Sequence, residues 1–388
     1  VTTTPLRGRT VVDFSLYVPG PHCTKILAEL GADVVKVEPL GGDPVRRFMP
    51  GLYEGLNSAK RVLAIDVKDP RGLDVCRRLL NGVDVVVEGF RPGVMDRLGI
   101  GFADVSALSP AVVYCSLTGY GQEGPRAADA GHDVNYTAVA GGFAVQLAVD
   151  DDPQQGPFAA ADLGGALYAA TAICATLAGI PSQPVHLDVS LSEASLALSA
   201  VGWGRAMQGE PIRPDDVGSL APGYGIYRCR DGRRVAVAAV EDEFWDRLCN
   251  ALGVEDLTGA PFNDHHGRMT HRRMLTERLR QTIVQWDCAT LVDRAHTDGI
   301  PVSALHTVDD VRLDAHLRHR DAIRARSRGF EVAHPVQYGG QRPKQQDRPT
   351  GTQLTRHDVA MMTGLGDEDI EALARAGVIG QPTTPADA

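Results

Sequence analysis

Residues 10–37 read Thr10-Val11-Val12-Asp13-Phe14-Ser15-Leu16-Tyr17-Val18-Pro19-Gly20-Pro21-His22-Cys23-Thr24-Lys25-Ile26-Leu27-Ala28-Glu29-Leu30-Gly31-Ala32-Asp33-Val34-Val35-Lys36-Val37, and this stretch decides the fold. Residues 10–14 are a short apolar run of strand length. Residues 20–30 carry a helix pattern that stops at Gly31, as a glycine C-cap would stop it. Residues 32–37 form a second apolar strand. A strand, a helix and a strand in this order make a unit whose two strands run parallel.

The same alternation continues outward. Residues 62–66 read as a strand, 70–80 as a helix with Pro70 in its first turn, and 83–88 and 112–117 as further strands. Apolar strands separated by helices imply a parallel sheet covered on both faces. Residues 162–178 and 190–207 read as long helices with alanine and leucine stripes. Residues 209–223, rich in proline, glycine and aspartate, read as a linker. A new unit then starts with a hairpin, 225–228 and 234–240 around Asp231-Gly232. Helices follow at 241–252, 271–282 and 288–297. Residues 327–353 read as a long polar loop or crossing segment, and 367–376 as a last helix closed by Gly377.

Composition narrows the function classes. A chain of 388 residues is long enough for two or three domains with a real core. Hydrophobic residues at 43% and charged ones at 23% are ordinary for a globular protein, which sets disorder aside. A net charge of -10 disfavours nucleic acid and membrane surfaces as partners. Seven scattered cysteines, an odd number with no CxxC pair, point to buried thiols in a reducing compartment, hence a cytoplasmic location, and not to disulfides or zinc. Residues 1–20 show no signal-peptide pattern, and Pro385-Ala386-Asp387-Ala388 is no peroxisomal address. Residues 164–180 come nearest to a membrane span, but they are too short and too rich in small residues, and read as a core helix.

Several motifs resolve on context. Gly119-Tyr120-Gly121-Gln122-Glu123-Gly124 fits GxGxxG after a strand, but Pro125 follows where a dinucleotide site needs an apolar helix. Asp264, His265, His266 and His271 are metal-type residues in polar, loop-like surroundings, and read as a solvated cluster. Lys60 and Arg61 precede the 62–66 strand, Lys68 follows it, and Arg91 and Arg97 follow the 83–88 strand. That distribution places all five near the carboxyl ends of parallel strands or in the loops joining them, a basic rim suited to a small polyphosphate ligand, with simply solvated loop residues as the alternative.

The chemistry centres on Gly131-His132-Asp133-Val134-Asn135-Tyr136 and on Asp162. His132 is a nitrogen base at a helix start, and Asp162 a carboxylate in an apolar, small-residue setting. Taken singly, a His-Asp pair is usually structural and an aspartate before a helix is usually its N-cap. Together they are two dissimilar bases, which a proton-in, proton-out reaction at one carbon requires. Glu241, where the 234–240 strand ends, is a third candidate, with an ordinary exposed helix-start glutamate as its alternative.

These pieces occur in the order found in one family. The matching residues are Val18-Pro19-Gly20-Pro21, Leu30-Gly31-Ala32-Asp33-Val34-Val35-Lys36-Val37-Glu38, Leu56-Asn57, Lys60, Asp66-Val67-Lys68 and Glu88-Gly89-Phe90-Arg91-Pro92-Gly93. They continue with Thr118-Gly119-Tyr120-Gly121, Gly131-His132-Asp133, Asn135-Tyr136, Asp162, Asp188-Val189-Ser190 and Gly366-Asp367-Glu368-Asp369-Ile370 to Gly377-Val378-Ile379. The chain resembles the family III CoA-transferases (CaiB/BaiF) and, within them, the α-methylacyl-CoA racemases. It departs from them between Gly179 and His186, where Ile180-Pro181-Ser182-Gln183-Pro184-Val185 replaces the usual basic Gly-Arg-Gly-Gln-type turn.

The resemblance implies an α/β fold: a Rossmann-like large domain over 1–208, a smaller α+β domain over 209–326, a return segment with the C-terminal helix over 327–388, and an interlocked homodimer. By residue match it places Lys60, Arg61, Lys68, Arg91 and Arg97 around the CoA nucleotide, with Asn57, Asp66, Gly89, Gly119 and Tyr120 in the same binding set. It places His132 and Asp162 on either side of the acyl α-carbon, the partner subunit's Glu241 on His132, and Asp133 and Tyr136 beside them. The implied reaction is epimerisation of 2-methyl-branched acyl-CoA through an enolate, stabilised by the N-terminus of the helix beginning near Asp133. The alternatives are CoA transfer through an Asp162 anhydride and CoA thioester, which needs no second base, and non-catalytic acyl-CoA binding. No metal or redox cofactor is expected, because CoA is part of the substrate. The glycines and alanines of 141–148 suggest room for the acyl chain without fixing its identity.

Overall fold

The computed structural model describes residues 4–147, 152–212, 221–326, 329–343 and 351–382. The first strands form as their valine runs require: β1 (Thr10–Asp13), β2 (Asp33–Glu38), β3 (Arg61–Ala64), β4 (Val85–Glu88) and β5 (Val113–Thr118). A sixth, β6 (Val185–Ser190), lies at one edge of the sheet, and the short Thr352–Gln353 strand at the other. The order is Thr352–Gln353, β3, β2, β1, β4, β5, β6, and every pairing is parallel. The order reverses between β1 and β4, so a crevice opens there outside the carboxyl ends of the strands.

Alternation along each strand splits the core in two. Val11, Val34, Val85, Val87, Cys115 and Leu117 pack with Leu27 of the Pro19–Glu29 helix and with Ala166, Ala169 and Ile173 of the Ala160–Ala178 helix. Val12, Val35, Val37, Leu63, Val86 and Tyr114 take the other face, with Val75 and Leu79 of Pro70–Leu79, Val105 of Phe102–Leu108 and Ile370 of Asp367–Arg375. Burial of such side chains stabilises the fold by roughly 1.5–3 kcal/mol each. Both faces are covered, which is why the strands read as continuous apolar runs. By length and composition Ala160–Ala178 could cross a membrane, but here its Ala161, Ala166, Ala169, Ala170 and Ile173 are buried.

The described residues form two compact units. One draws on Val1–Phe143, Gln154–Ser199 and Asp321–Ala388, the other on Ala144–Pro153 and Ala200–Arg320. The second unit carries the expected hairpin, β7 (Tyr224–Arg228) antiparallel to β8 (Arg234–Ala238), with β9 (Val302–Ala304) added beside β8. Its core gathers Trp245, Leu248, Leu275, Leu279 and Ile283. All seven cysteines are free thiols.

Four sequence expectations change. The 190–207 helix stops at Ser199 and continues as two short 3₁₀ turns, Ala200–Gly202 and Ala206–Gln208. Gly202 and Gly204 weaken a helix there by about 1 kcal/mol each relative to alanine. β6 was not anticipated, because Pro184 and exposed His186 and Asp188 break up its apolar pattern. Residues 265–270 are a short helix, not a loop, because Asp264 Oδ1 accepts the Gly267 N–H at 2.7 Å as an N-cap. The polar segment 327–353 holds strand Phe330–Val332, antiparallel to Ile323–Ala325, and the Thr352–Gln353 edge strand. Residues 327–328 and 344–350 of that segment, 213–220 of the linker, Ala148 of the small-residue stretch and the C-terminal residues 385–388 lie outside the described residues.

Candidate active site

A cleft of about 650 Å³ opens at the β1/β4 reversal. Its walls are the segments that follow β1 (Ser15, Tyr17, Gly20), β4 (Gly89, Phe90, Arg91) and β5 (Gly119). His132, Asn135 and Tyr136 add a further wall, with Asp162 and Leu191 beside them. His132 and Asp162, thirty residues apart in sequence, therefore open into one cavity.

His132 is the N-cap of the Asp133–Val139 helix, in extended backbone conformation, and its N–H donates to Asn135 Oδ1 at 3.1 Å. Its ring is exposed and stands edge-on to Tyr17, with centroids 6.4 Å apart. Tyr17 itself has φ +67°, a left-handed conformation that a bulky residue adopts only when its surroundings hold it there. Tyr136 is buried, and its hydroxyl donates to the Gly131 carbonyl. Its ring meets Tyr120 edge-on at 5.1 Å. A Cβ at Gly119 would lie 2.3 Å from the Tyr136 ring, so the first glycine of the GxGxxG run is there for this packing.

Asp162 lies in the first turn of the Ala160–Ala178 helix, but it is not the cap; Ala159 occupies that position. The capping group comes from another helix. Asp133 Oδ1 accepts the N–H groups of Ala161 at 2.8 Å and Asp162 at 3.0 Å. Asp133 thus fixes the end of the helix that carries Asp162, and its negative charge lies close by. Burial first, and the Asp133 carboxylate second, push the Asp162 carboxyl up to about 7. Burial, Asp162 and Tyr120 together push the Tyr136 hydroxyl up to about 12.

The basic residues divide. Arg91 is exposed and lines the cleft. Lys68 and Arg97 are exposed in the segments after β3 and β4; Asp66 Oδ1 accepts the Lys68 N–H at 3.0 Å and shapes that turn. Lys60 and Arg61 are at the amino end of β3, where they precede its apolar run as the sequence reads. Lys60 is fully buried, and its ammonium donates to Asp13 Oδ2 (3.2 Å), the Pro21 carbonyl (2.9 Å) and Asn57 Oδ1 (2.9 Å), which accounts for its three protons. Asn57 is buried with it and donates to the Tyr53 carbonyl at 3.0 Å. Arg61 pairs with Asp33 and Asp358. Lys60, Asn57 and Arg61 therefore tie the fold together, and of the five basic residues Arg91 is the one that lines the cleft.

Glu241 is exposed in the second unit, immediately before the Asp242–Leu252 helix. Arg268 holds that corner by donating to the Val240 carbonyl (2.8 Å) and to Asp242 Oδ1 (2.6 Å). Among the described residues no group of three or more histidine, cysteine or acidic side chains is placed to hold a metal ion. Ser15 and Tyr17 also line the cleft and were not singled out in the sequence. The available signal was Ser15-Leu16-Tyr17, a partly apolar loop directly after a strand, at the edge where such sheets bind ligands.

Residues 6–355 match the CoA-transferase family III. Among curated relatives, the succinate–glutarate CoA-transferase of Agrobacterium fabrum is 28% identical over 81% of this chain and 84% of its own. The human alpha-methylacyl-CoA racemase is 34% identical over 64% of this chain and 65% of its own. A CAIB/BAIF family protein from Brucella suis superposes with a TM-score of 0.80 at 26% identity, covering 97% of this chain and 100% of that one. The chain belongs to the CoA-transferase family III.

Proposed function

We propose that this protein moves coenzyme A between carboxylic acids, with Asp162 as the covalent carrier. One observation supports this most: Asp162 lines the cleft at the sheet's reversal point with a carboxyl that burial and Asp133 push up to about 7. A carboxylate of that basicity is a better nucleophile than a surface aspartate, and about half of it is ionised at neutral pH. Several curated CoA-transferases match over most of this chain, which supports transfer over the epimerisation that the His132 motif suggested.

The Asp162 carboxylate would attack the thioester carbonyl of the donor. The carbon–sulfur bond breaks, CoA leaves as the thiolate, and a mixed anhydride remains on Asp162. The thiolate then attacks the Asp162 carbonyl carbon and expels the donor acid as its carboxylate, leaving a CoA thioester on Asp162. The acceptor carboxylate reverses the two steps, and Asp162 is regenerated. No water or net proton is consumed. Arg91, Lys68 and Arg97 would meet the phosphates of CoA. Asp133 keeps the Asp162 helix end in place throughout. CoA enters and leaves as substrate, so the proposal includes no separate cofactor.

A second reading is favoured by His132 opening into the same cleft. With Asp162 protonated and His132 as base, the pair would epimerise a 2-methyl-branched acyl-CoA, with the partner subunit's Glu241 orienting His132 in a homodimer. One experiment separates the two. A (2R)-2-methylacyl-CoA is incubated in D₂O with and without a carboxylic acid acceptor, and α-deuterium and CoA partition are followed by mass spectrometry. CoA on the acceptor without α-exchange is the expected result. Acceptor-independent α-deuterium with epimerisation would replace transfer by epimerisation.

A further inference from the structure

Glu88 ends β4 and is 4% exposed, and the proposed chemistry makes no use of it. Its Oε2 accepts the Phe90 N–H at 2.8 Å, and the nearby Ser116 hydroxyl draws its carboxyl down. Ser116 is the register partner of Glu88 on β5. Its Oγ lies 3.0 Å from Nε2 of His186 on β6. The His186 ring is held by stacking on Phe102, with centroids 4.9 Å apart and planes 16° from parallel. Polar side chains of β6, β5 and β4 therefore gather at one place, and Glu88 among them holds the backbone of the turn that leaves β4. Arg91 is the next residue of that turn. It lines the catalytic cleft and also a small cavity, of about 30 Å³, whose walls include Glu88, Ser116 and His186.

The arrangement opposes the protein's own stability. Burial pushes the Glu88 carboxyl up to about 7, and the Ser116 hydroxyl and the Phe90 N–H counter this only in part. A buried acid kept at such a place needs an occupation, and the backbone N–H that it holds identifies one.

We infer that Glu88 is a positioning residue, which with Ser116 and His186 fixes the Gly89–Arg91 turn so that Arg91 meets the phosphates of CoA. The inference rests on the reading of Arg91 as a CoA contact, and calorimetric titration with free CoA tests the two separately. Arg91→Ala should weaken CoA binding about tenfold or more, as loss of a charge-assisted phosphate contact does. Glu88→Ala should weaken it about five- to tenfold, and the double variant should be no weaker than Arg91→Ala within about twofold, because both changes remove one contact. Glu88→Gln keeps a carbonyl acceptor for Phe90 and should bind within about threefold of the parent, with kcat changed less than about twofold. Ser116→Ala, a smaller change that keeps the testing possible if Glu88→Ala does not fold, should weaken binding about threefold. Unchanged affinity in Glu88→Ala or Ser116→Ala beside a weakened Arg91→Ala would overturn the positioning role, and so would multiplicative losses in the double variant. Unchanged affinity in Arg91→Ala would overturn the underlying contact, and the inference with it.

Discussion

Asp13 ends β1 and Asp162 stands in the first turn of the Ala160–Ala178 helix, lining the cleft, and burial acts on both in the same direction. They nevertheless end at opposite extremes. Burial raises the Asp13 carboxyl, but the Lys60 and Lys36 ammonium groups and the hydroxyls of Ser15 and Thr24 outweigh it and hold the group at about 2. Thr24 Oγ1 lies 2.5 Å from Asp13 Oδ2 and the Lys60 ammonium 3.2 Å. Among the described residues no cation offsets the burial of Asp162; its charged neighbour is another carboxylate, Asp133, and the group stands at about 7. Burial alone does not make a reactive carboxyl. The sign of the neighbouring charges decides whether a buried aspartate ties the fold together or is available for chemistry.

The two sites should therefore fail in different ways. The largest effect is expected from Asp162→Asn, which should lower activity by at least about 10⁴-fold with the fold intact by circular dichroism. Asp13→Ala should do the reverse. It leaves Lys60 buried without its carboxylate, at a cost of about 3–5 kcal/mol in urea denaturation, and activity should fall only as far as folded protein is lost. An Asp162→Asn enzyme that keeps half its activity would break the comparison.

Next comes the packing behind the site. Gly119→Ala would put a Cβ 2.3 Å from the Tyr136 ring. The expected cost is about 1–3 kcal/mol in denaturant melts, with reduced turnover as the Asp133–Val139 helix is pushed aside.

The smallest effects lie in the pH dependence, and they sharpen the contrast. Asp162 binds its proton more tightly in the folded state, so its ionisation opposes folding. The penalty grows as pH rises from the ordinary aspartate range and is complete above about 7. Asp162→Asn should therefore be more stable than the parent above pH 7 and lose that advantage on acidification, read by melting temperature across pH. Asp13 binds its proton less tightly when folded. Its contribution is complete above the ordinary aspartate range and is lost as pH falls through about 2. Asp133→Asn keeps an oxygen for the Ala161 and Asp162 N–H groups but removes the charge, so the acid limb of kcat/KM should move to lower pH. An unmoved limb would mean that Asp133 acts through geometry alone.

The parallel sheet was legible in the sequence because its central strands are buried on both faces and read as unbroken valine runs. β6 was not, because an edge strand exposes alternate residues, and His186 and Asp188 look like a loop. At the site, His132 and Asp162 could be named from their residue types and the family resemblance. The role of Asp133 could not, because a side chain that caps a helix twenty-eight residues away leaves no local pattern. Lys60 misled for a related reason: a lysine beside a strand looks like a phosphate ligand until the burial and three acceptors around its ammonium are seen.

The central claim is that Asp162 becomes covalently acylated and then carries CoA. It is tested most directly by rapid acid quench of the enzyme during turnover with an acyl-CoA and a carboxylic acid acceptor, followed by intact-mass analysis and peptide mapping. The account predicts a CoA adduct on the peptide containing Asp162, absent from Asp162→Asn. Full turnover with no adduct on that peptide at any quench time would contradict it.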